Sequence, residues 1–255
     1  MVMKKIFLLL FVFLLLSFVF LNEQPKKERP ETIYSFLPLG DSACSMVSHT
    51  YYTLCYNEKH EQAAWVYYVL NDSMIVGNAK RKSYFLKDSL VVPRTLSHSA
   101  YTNSGYDRGH LLPAADMKWN QLAMDESFLM SNVSPQNPCF NRNGLWRKLE
   151  TKVREWVVNH NPLIIIVGGV LIDDLPKLGG KTVSVPKYYF KIILNEQDFS
   201  SVSFLLENEK DAGLLSSFVV SVDSIEQISG LDFFHFLPDS LENDMEKTAD
   251  LSDWF

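Results

Sequence analysis

An α+β fold is what this sequence predicts, and three observations predict it. Runs dense in β-branched and aromatic residues stand on both sides of a polar middle. One long segment repeats at the helix period, and strands and helices do not alternate in a βαβ series. At 255 residues the chain can bury a full core as one domain. That excludes a peptide-hormone-like or wholly disordered chain. Hydrophobic residues make up 47% and charged residues 21%, which are globular proportions although part of the apolar share is gathered near the N-terminus.

That apolar share is the first element. Lys4 and Lys5 precede a run from Ile6 to Leu21 interrupted only by Ser17, the order of basic and apolar regions in an export signal. Residues 1–21 are therefore expected to be a signal peptide or signal anchor. The lack of a small-x-small pattern before Asn22 favours the anchor. As a helix, residues 6–21 would span about 24 Å, short of a bilayer core, so a membrane tether through them would rely on local thinning. The expected location is exported: membrane-anchored facing outward, or periplasmic or secreted if the signal is cleaved. Residues 22–44, with Pro, Glu and Lys prominent at their start, read as a linker, which leaves 45–255 as the domain with an acidic C-terminal tail.

Within the domain, Ala64–Leu70 is rich in aromatic and β-branched residues and reads as a strand. Further strands are expected at Leu163–Val170, Thr182–Leu194 and Ser201–Leu206. Between Leu145 and Val158 the apolar residues Leu145, Leu149, Val153 and Trp156 recur at helical steps. Ser224–Glu246 suggests one or two short terminal helices. Cys44, Cys55 and Cys139 are too few for a disulfide framework and lack the paired spacing of a zinc site. Cys44 and Cys55 could pair in an oxidising compartment, and three plain thiols is an equal reading.

The formal charge of −6 argues at first against a polyanionic partner. Its distribution removes that objection. Between Glu207 and Phe255 stand twelve acids and two lysines, so the rest of the chain is mildly basic. A phosphate-bearing substrate stays open for the body of the protein, without a wide basic field around the site.

Side chains with specific chemistry are densest between residues 106 and 154. Asp107-Arg108-Gly109-His110 is followed by Ser131-Asn132-Val133-Ser134-Pro135-Gln136, then Asn141, Trp146, Leu149-Glu150 and Arg154. Phosphodiester hydrolysis requires a base for water, a cation for developing charge and donors for the phosphate. A histidine can be neutral and basic at working pH. Magnesium suits a carboxamide oxygen with a carboxylate holding its waters, and manganese suits the same oxygens. Arg108, Arg142, Arg147 and Arg154 are candidate phosphate donors. On the helix, Glu150 and Arg154 lie about 40° apart at the border of the apolar stripe, where they can face a cleft while the stripe packs.

This ordered set resembles the DNA/RNA non-specific endonucleases, the group of Serratia nuclease and endonuclease G with the ββα-metal or His-Me finger site. His49–Tyr68, Arg81–Asp88, Val185-Pro186-Lys187 and Leu231-Asp232-Phe233-Phe234 also look like family landmarks. The resemblance implies a His-Me finger fold with a central, mainly antiparallel sheet flanked by helices. It implies an Mg-dependent endonuclease acting on DNA and RNA through phosphate contacts, and by analogy a homodimer. It makes His110 the general base and Asn141 the direct metal ligand, with Glu150 holding metal-bound waters. Asn132 would orient His110 or the phosphate, and Arg108 and Arg154 would support phosphate binding. Arg81 matches the family's upstream arginine, with Lys82 adjacent as a competitor.

Asn141 and Glu150 are nine residues apart, where the usual family pattern has eight. Absorbed at Gly144, the extra residue is harmless; transmitted to the helix, it would turn Glu150 by about 100°. The alternative function is then a catalytically inactive nucleic-acid-binding or uptake module of the same fold, and a third is a phosphodiesterase acting on small nucleotides or lipids. The remaining histidines, His49, His60, His98, His160 and His235, read as ordinary polar residues. Asp107 reads as a turn or ion-pair residue, Asp116 as a cap. Trp146 and Trp156 read as core.

Overall fold

The computed structural model describes residues 36–40, 43–92, 98–180, 182–247 and 251–255. The expected signal or anchor at 1–21, the tether through 6–21 and most of the linker lie outside the described residues. Among the described residues no helix is long and apolar enough to cross a membrane. Packed chain begins earlier than residue 45: Phe36 and Leu37 are buried in the core, because Pro- and Glu-rich composition gives way to apolar residues by that point.

Seven strands form one antiparallel sheet in the order β1-β2-β3-β6-β7-β8-β9. They are β1 (Cys44–Ser48), β2 (Thr53–Asn57), β3 (Gln62–Leu70), β6 (Leu163–Gly169), β7 (Tyr188–Asn195), β8 (Ser201–Glu207) and β9 (Val219–Val220). Both faces are covered, which is why the central strands read as continuous apolar runs. In β6, Leu163, Ile165 and Val167 enter one core while Ile164 and Ile166 enter the other.

Helix α3 (Leu145–Trp156) covers the first face with Leu145, Trp146, Leu149, Val153 and Trp156. The second face is covered by α4 (Val222–Ser229) and α5 (Asp239–Lys247), through Val222, Ile225, Leu241 and Met245, with Phe233 and Phe234 between them. The helix expected over 145–158 and the two terminal helices are thus present. The strand expected over Thr182–Leu194 starts only at Tyr188. Pro186 has no N–H for a ladder, and Val183 and Val185 instead pack beside Tyr101, Met130 and Val133. Strands β1 and β2 were not anticipated. The disulfide Cys44–Cys55 joins them, and Cys139 is an exposed thiol.

The polar middle carries its own two-stranded sheet. Strands β4 (Asp107–His110) and β5 (Val133–Gln136) pair antiparallel, with α1 (Gln121–Ser127) in their connection and α2 (Pro138–Asn143) and α3 following. This ββα finger is bolted to the large sheet by buried polar bonds. Ser134 Oγ donates to Gln62 Oε1 at 2.5 Å, and Tyr189 Oη donates to the Pro135 carbonyl at 2.8 Å. Asn208 Nδ2 donates to the carbonyls of Pro135 and Pro186, each at 3.0 Å. Left unpaired, any of these groups would cost about 1–3 kcal/mol.

Candidate active site

The DRGH segment is β4, and its glycine has a steric reason. A Cβ on Gly109 would lie 2.1 Å from Gln136 Oε1 and 2.2 Å from its Cδ, on the partner strand. His110 ends the strand and projects between Phe85 and Phe128, with ring centroids 5.0 Å away in both cases. Its Nε2 is buried without a hydrogen-bond partner, while the residue keeps some surface on the cleft. Burial, then the nearby Arg81 charge, pushes the imidazole down to about 3. It is therefore neutral at any ordinary working pH.

Asn141 comes from α2, and its orientation is fixed by chemistry. Nδ2 donates to Asp107 Oδ2 at 3.0 Å. A carboxylate can only accept, so the amide nitrogen is committed and the oxygen is left to act as a ligand. Asp107 also accepts from Arg142 Nε at 2.8 Å and Nη2 at 2.6 Å. Burial alone would lift this carboxyl, but the bonds from Arg142 and Asn141 hold it below the usual range. Asp107 is an ion-pair residue that also positions Asn141.

Glu150 lies on α3, and it lines the same cleft as His110 and Asn141. Gly144, with an extended backbone (φ −85°, ψ −165°), separates α2 from α3, and Glu150 faces the cleft of His110 and Asn141. A Cβ on Gly144 would meet the carbonyls of Cys139 and Phe140 at 2.4 and 2.6 Å. Hence the helix is not rotated away from the site. Burial lifts Glu150 to about 7; Lys191 and Arg154 oppose the shift and Asp116 adds to it.

The cleft is about 720 Å³ and is also lined by Arg81, Lys82, Arg108, Arg142, Arg147 and Arg154. Arg81 lies over the Phe128 ring at 5.4 Å and its charge reaches His110, whereas Lys82 pairs with Asp125 at 2.9 Å. The segment carrying Arg81 is anchored at Asp88, which accepts from Ser131 Oγ at 2.5 Å and is bonded to His49 at 2.9 Å. Arg108 stands over Tyr101 at 5.8 Å. Arg154 donates to Asp116 Oδ1 at 2.8 Å and to Thr151 at 3.2 Å.

Two expectations change. Asn132 is fully buried, and its side chain is spent on the backbone: Oδ1 accepts from Leu112 N at 2.8 Å while Nδ2 donates to Leu112 O at 3.0 Å and Ser127 O at 2.9 Å. A direct phosphate contact is therefore not available to it; it latches the chain just after His110. Asp116 is not a simple cap. It is buried, accepts from Arg154 and from Tyr68 Oη at 3.0 Å, and orients a cleft arginine. Burial lifts its carboxyl, against the pull of Arg154.

One residue was missed altogether. Lys191, 0% exposed on β7, places Nζ 4.7 Å from the Trp146 ring centroid without a hydrogen-bond partner. Burial lowers its pKa, and the charges of Glu150 and Asp116 oppose that. A lone lysine inside the apolar run Tyr188–Leu194 was the signal that could have found it.

A neutral imidazole, an aimed amide oxygen, a carboxylate and several arginines around one cleft define a site suited to metal-assisted chemistry on phosphate esters. The family model for DNA/RNA non-specific endonucleases matches residues 30–240, and the chain belongs to that family. It is 31% identical over 212 residues to a mitochondrial nuclease of Saccharomyces cerevisiae, covering 73% of this chain and 64% of that one. It is 31% identical over 203 residues to mitochondrial endonuclease G of Bos taurus, covering 73% and 68%. With mitochondrial nuclease EXOG of Danio rerio it shares 32% over 215 residues, covering 77% and 62%. The chain thus spans about two thirds of the length of these relatives. A chain in the crystal structure of the EndoG/EndoGI complex superposes with a TM-score of 0.68 at 28% identity, covering 76% of this chain and 86% of that one. The α+β nuclease fold is the shared one.

The expected export is corrected by these relatives. The yeast, bovine and zebrafish proteins are mitochondrial by name, which points to mitochondria and away from an exported or outward-anchored location. An apolar run behind two lysines reports affinity for a membrane and does not say which membrane.

Proposed function

We propose that this protein is a divalent-metal-dependent endonuclease that hydrolyses phosphodiester bonds of DNA and RNA with little sequence preference. The observation that carries the reading is that His110, Asn141 and Glu150, from β4, α2 and α3 of the finger, line one cleft with Arg81, Arg108 and Arg154. The donor set fits a hard cation, because the Asn141 oxygen is turned away from Asp107 and the Glu150 carboxylate borders the same space. Magnesium, or manganese on the same ligands, would be held by Asn141 and Glu150 and would offset negative charge on the phosphate oxygens.

His110, neutral in its enclosed position, takes the proton of the attacking water, its low affinity in the empty cleft being raised by the negative charge of the phosphate that binds beside it. The new P–O bond forms as the bond to the 3′ oxygen breaks; that oxygen takes a proton from solvent and leaves as the 3′ hydroxyl, so the phosphate stays on the 5′ product end. Arg81, Arg108 and Arg154 hold the phosphate through donors that read no base, which is why selectivity is low. The test is cleavage of plasmid and of RNA by the full chain with and without chelator, beside His110→Ala. Chelator-sensitive cutting by the parent and none by the variant is the expected result. Wild-type rates for the variant would remove His110 as the base, and unchanged cutting in chelator would remove the metal.

A further inference from the structure

The acidity of the C-terminal region has no part in the cleft. It is concentrated where α4, α5 and the Leu231–Phe234 segment meet, on the opposite face of the sheet from α3. Oxygens of Asp223, Glu226 and Glu246 lie within 4.8 Å of one another, and so do those of Asp232, Glu242 and Glu246. Glu246 belongs to both groups.

Its position is unusual for a carboxylate. Glu246 is 8% exposed, and its Oε1 is shut off from solvent with no hydrogen-bond partner. Among the described residues no lysine or arginine forms an ion pair with any of the five acids. Phe233 N donates to Glu226 Oε1 at 2.7 Å. Glu242 and Glu246 stand one helical turn apart, a like-charge spacing that weakens a helix. Burial, then the neighbouring carboxylates, lifts Glu246 to about 8, and both also lift Glu242.

A buried carboxyl without a counter-ion keeps its proton or is given to a metal, and an ion bound here would displace that proton. The oxygens here are hard ligands, numerous and flexible, and Asp223 and Asp232 open the group to solvent. That favours calcium, which accepts 6–8 oxygens in adaptable geometry, over magnesium, which retains its waters. We propose that the meeting point of α4, α5 and the Leu231–Phe234 segment is a calcium site, separate from the active site, with Glu246 as the central ligand shared by the Asp223/Glu226 and Asp232/Glu242 pairs. Calcium there clips the two terminal helices to each other and to the Leu231–Phe234 segment.

The experiment uses the full chain in detergent, carrying Asn141→Ala so that the catalytic cleft does not contribute. Equilibrium dialysis against calcium, and melting with and without calcium, are compared with the same protein also carrying Glu246→Gln. Expected are roughly one bound calcium per chain and a Tm rise of about 5 °C at hundredfold excess over Kd, both lost in the Gln variant. Without calcium that variant should melt no lower than its parent, since the amide replaces a carboxyl that already holds its proton and removes what repulsion remains. The exposed substitutions Asp223→Asn and Asp232→Asn form a second series, and at least one should weaken binding tenfold or more. In the otherwise unaltered chain, Glu246→Gln should leave magnesium-supported plasmid cleavage unchanged. No calcium bound by the parent, or equal binding by Glu246→Gln, overturns the proposal.

Discussion

Replacing His110 by alanine tests how the site encloses its histidine. The imidazole is packed between Phe85 and Phe128, and burial with the Arg81 charge holds it at about 3, against about 6.5 in an unfolded chain. A base with a depressed folded value binds fewer protons folded than unfolded between those limits. Its contribution to stability is therefore complete above about pH 6.5 and is lost as pH falls toward about 3. Each pH unit in that window is about 1.4 kcal/mol, so falling from pH 6.5 to about pH 4.5 gives at most roughly 2.7 kcal/mol. Because the residue keeps some surface on the cleft, solvent screening reduces this to about 1–2 kcal/mol. Urea unfolding of metal-stripped parent and His110→Ala is measured near pH 7.5 and pH 4.5. The cavity left by alanine is common to both conditions and cancels in the difference. The parent should lose about 1–2 kcal/mol more than the variant on acidification. Equal losses would mean that the ring is solvated and the aromatic enclosure does not govern its protonation.

Other consequences can be measured separately. Asp107→Ala releases the Asn141 amide, and the magnesium concentration for half-maximal cleavage should rise about 10–100-fold, while Asp107→Asn, which keeps an acceptor, should restore part of it. Asp116→Ala leaves Arg154 and the buried Tyr68 hydroxyl without their shared acceptor; denaturant unfolding should show a loss of about 2–4 kcal/mol, with a raised KM for plasmid. Gly109→Ala drives a methyl into Gln136, and a loss of about 1–3 kcal/mol is expected by thermal unfolding. Cleavage should fall steeply between about 50 and 200 mM salt if the cleft arginines hold the phosphates, and a flat response would assign them another role.

Much of the site was legible because its parts are close in sequence. His110, Asn141 and Glu150 sit on β4, α2 and α3 of one finger, so an ordered motif grouped them in sequence, and the helix period placed Glu150 on α3 before any tertiary contact was known. The stripe Leu145, Leu149, Val153 and Trp156 likewise announced both α3 and the face it would bury. What local pattern could not supply was the part assembled across distance. Asp116 looks like a cap until Tyr68 and Arg154, from β3 and α3, converge on it. Lys82 and Arg81 are indistinguishable neighbours until Asp125 takes one of them.

By itself the sequence determined the chemistry and the periods: an α+β chain, an apolar run at residues 6–21, a dense polar middle and an acidic C-terminal region. Such features follow from residue type and spacing, which are fixed before folding. The tertiary structure alone decided that Asn132 latches backbone and cannot touch phosphate, that Glu150 faces the cleft, and that Lys191 and Glu246 are buried. Burial and partner identity depend on which elements meet, and a carboxylate or an amide is the same letter on the surface as it is in the core.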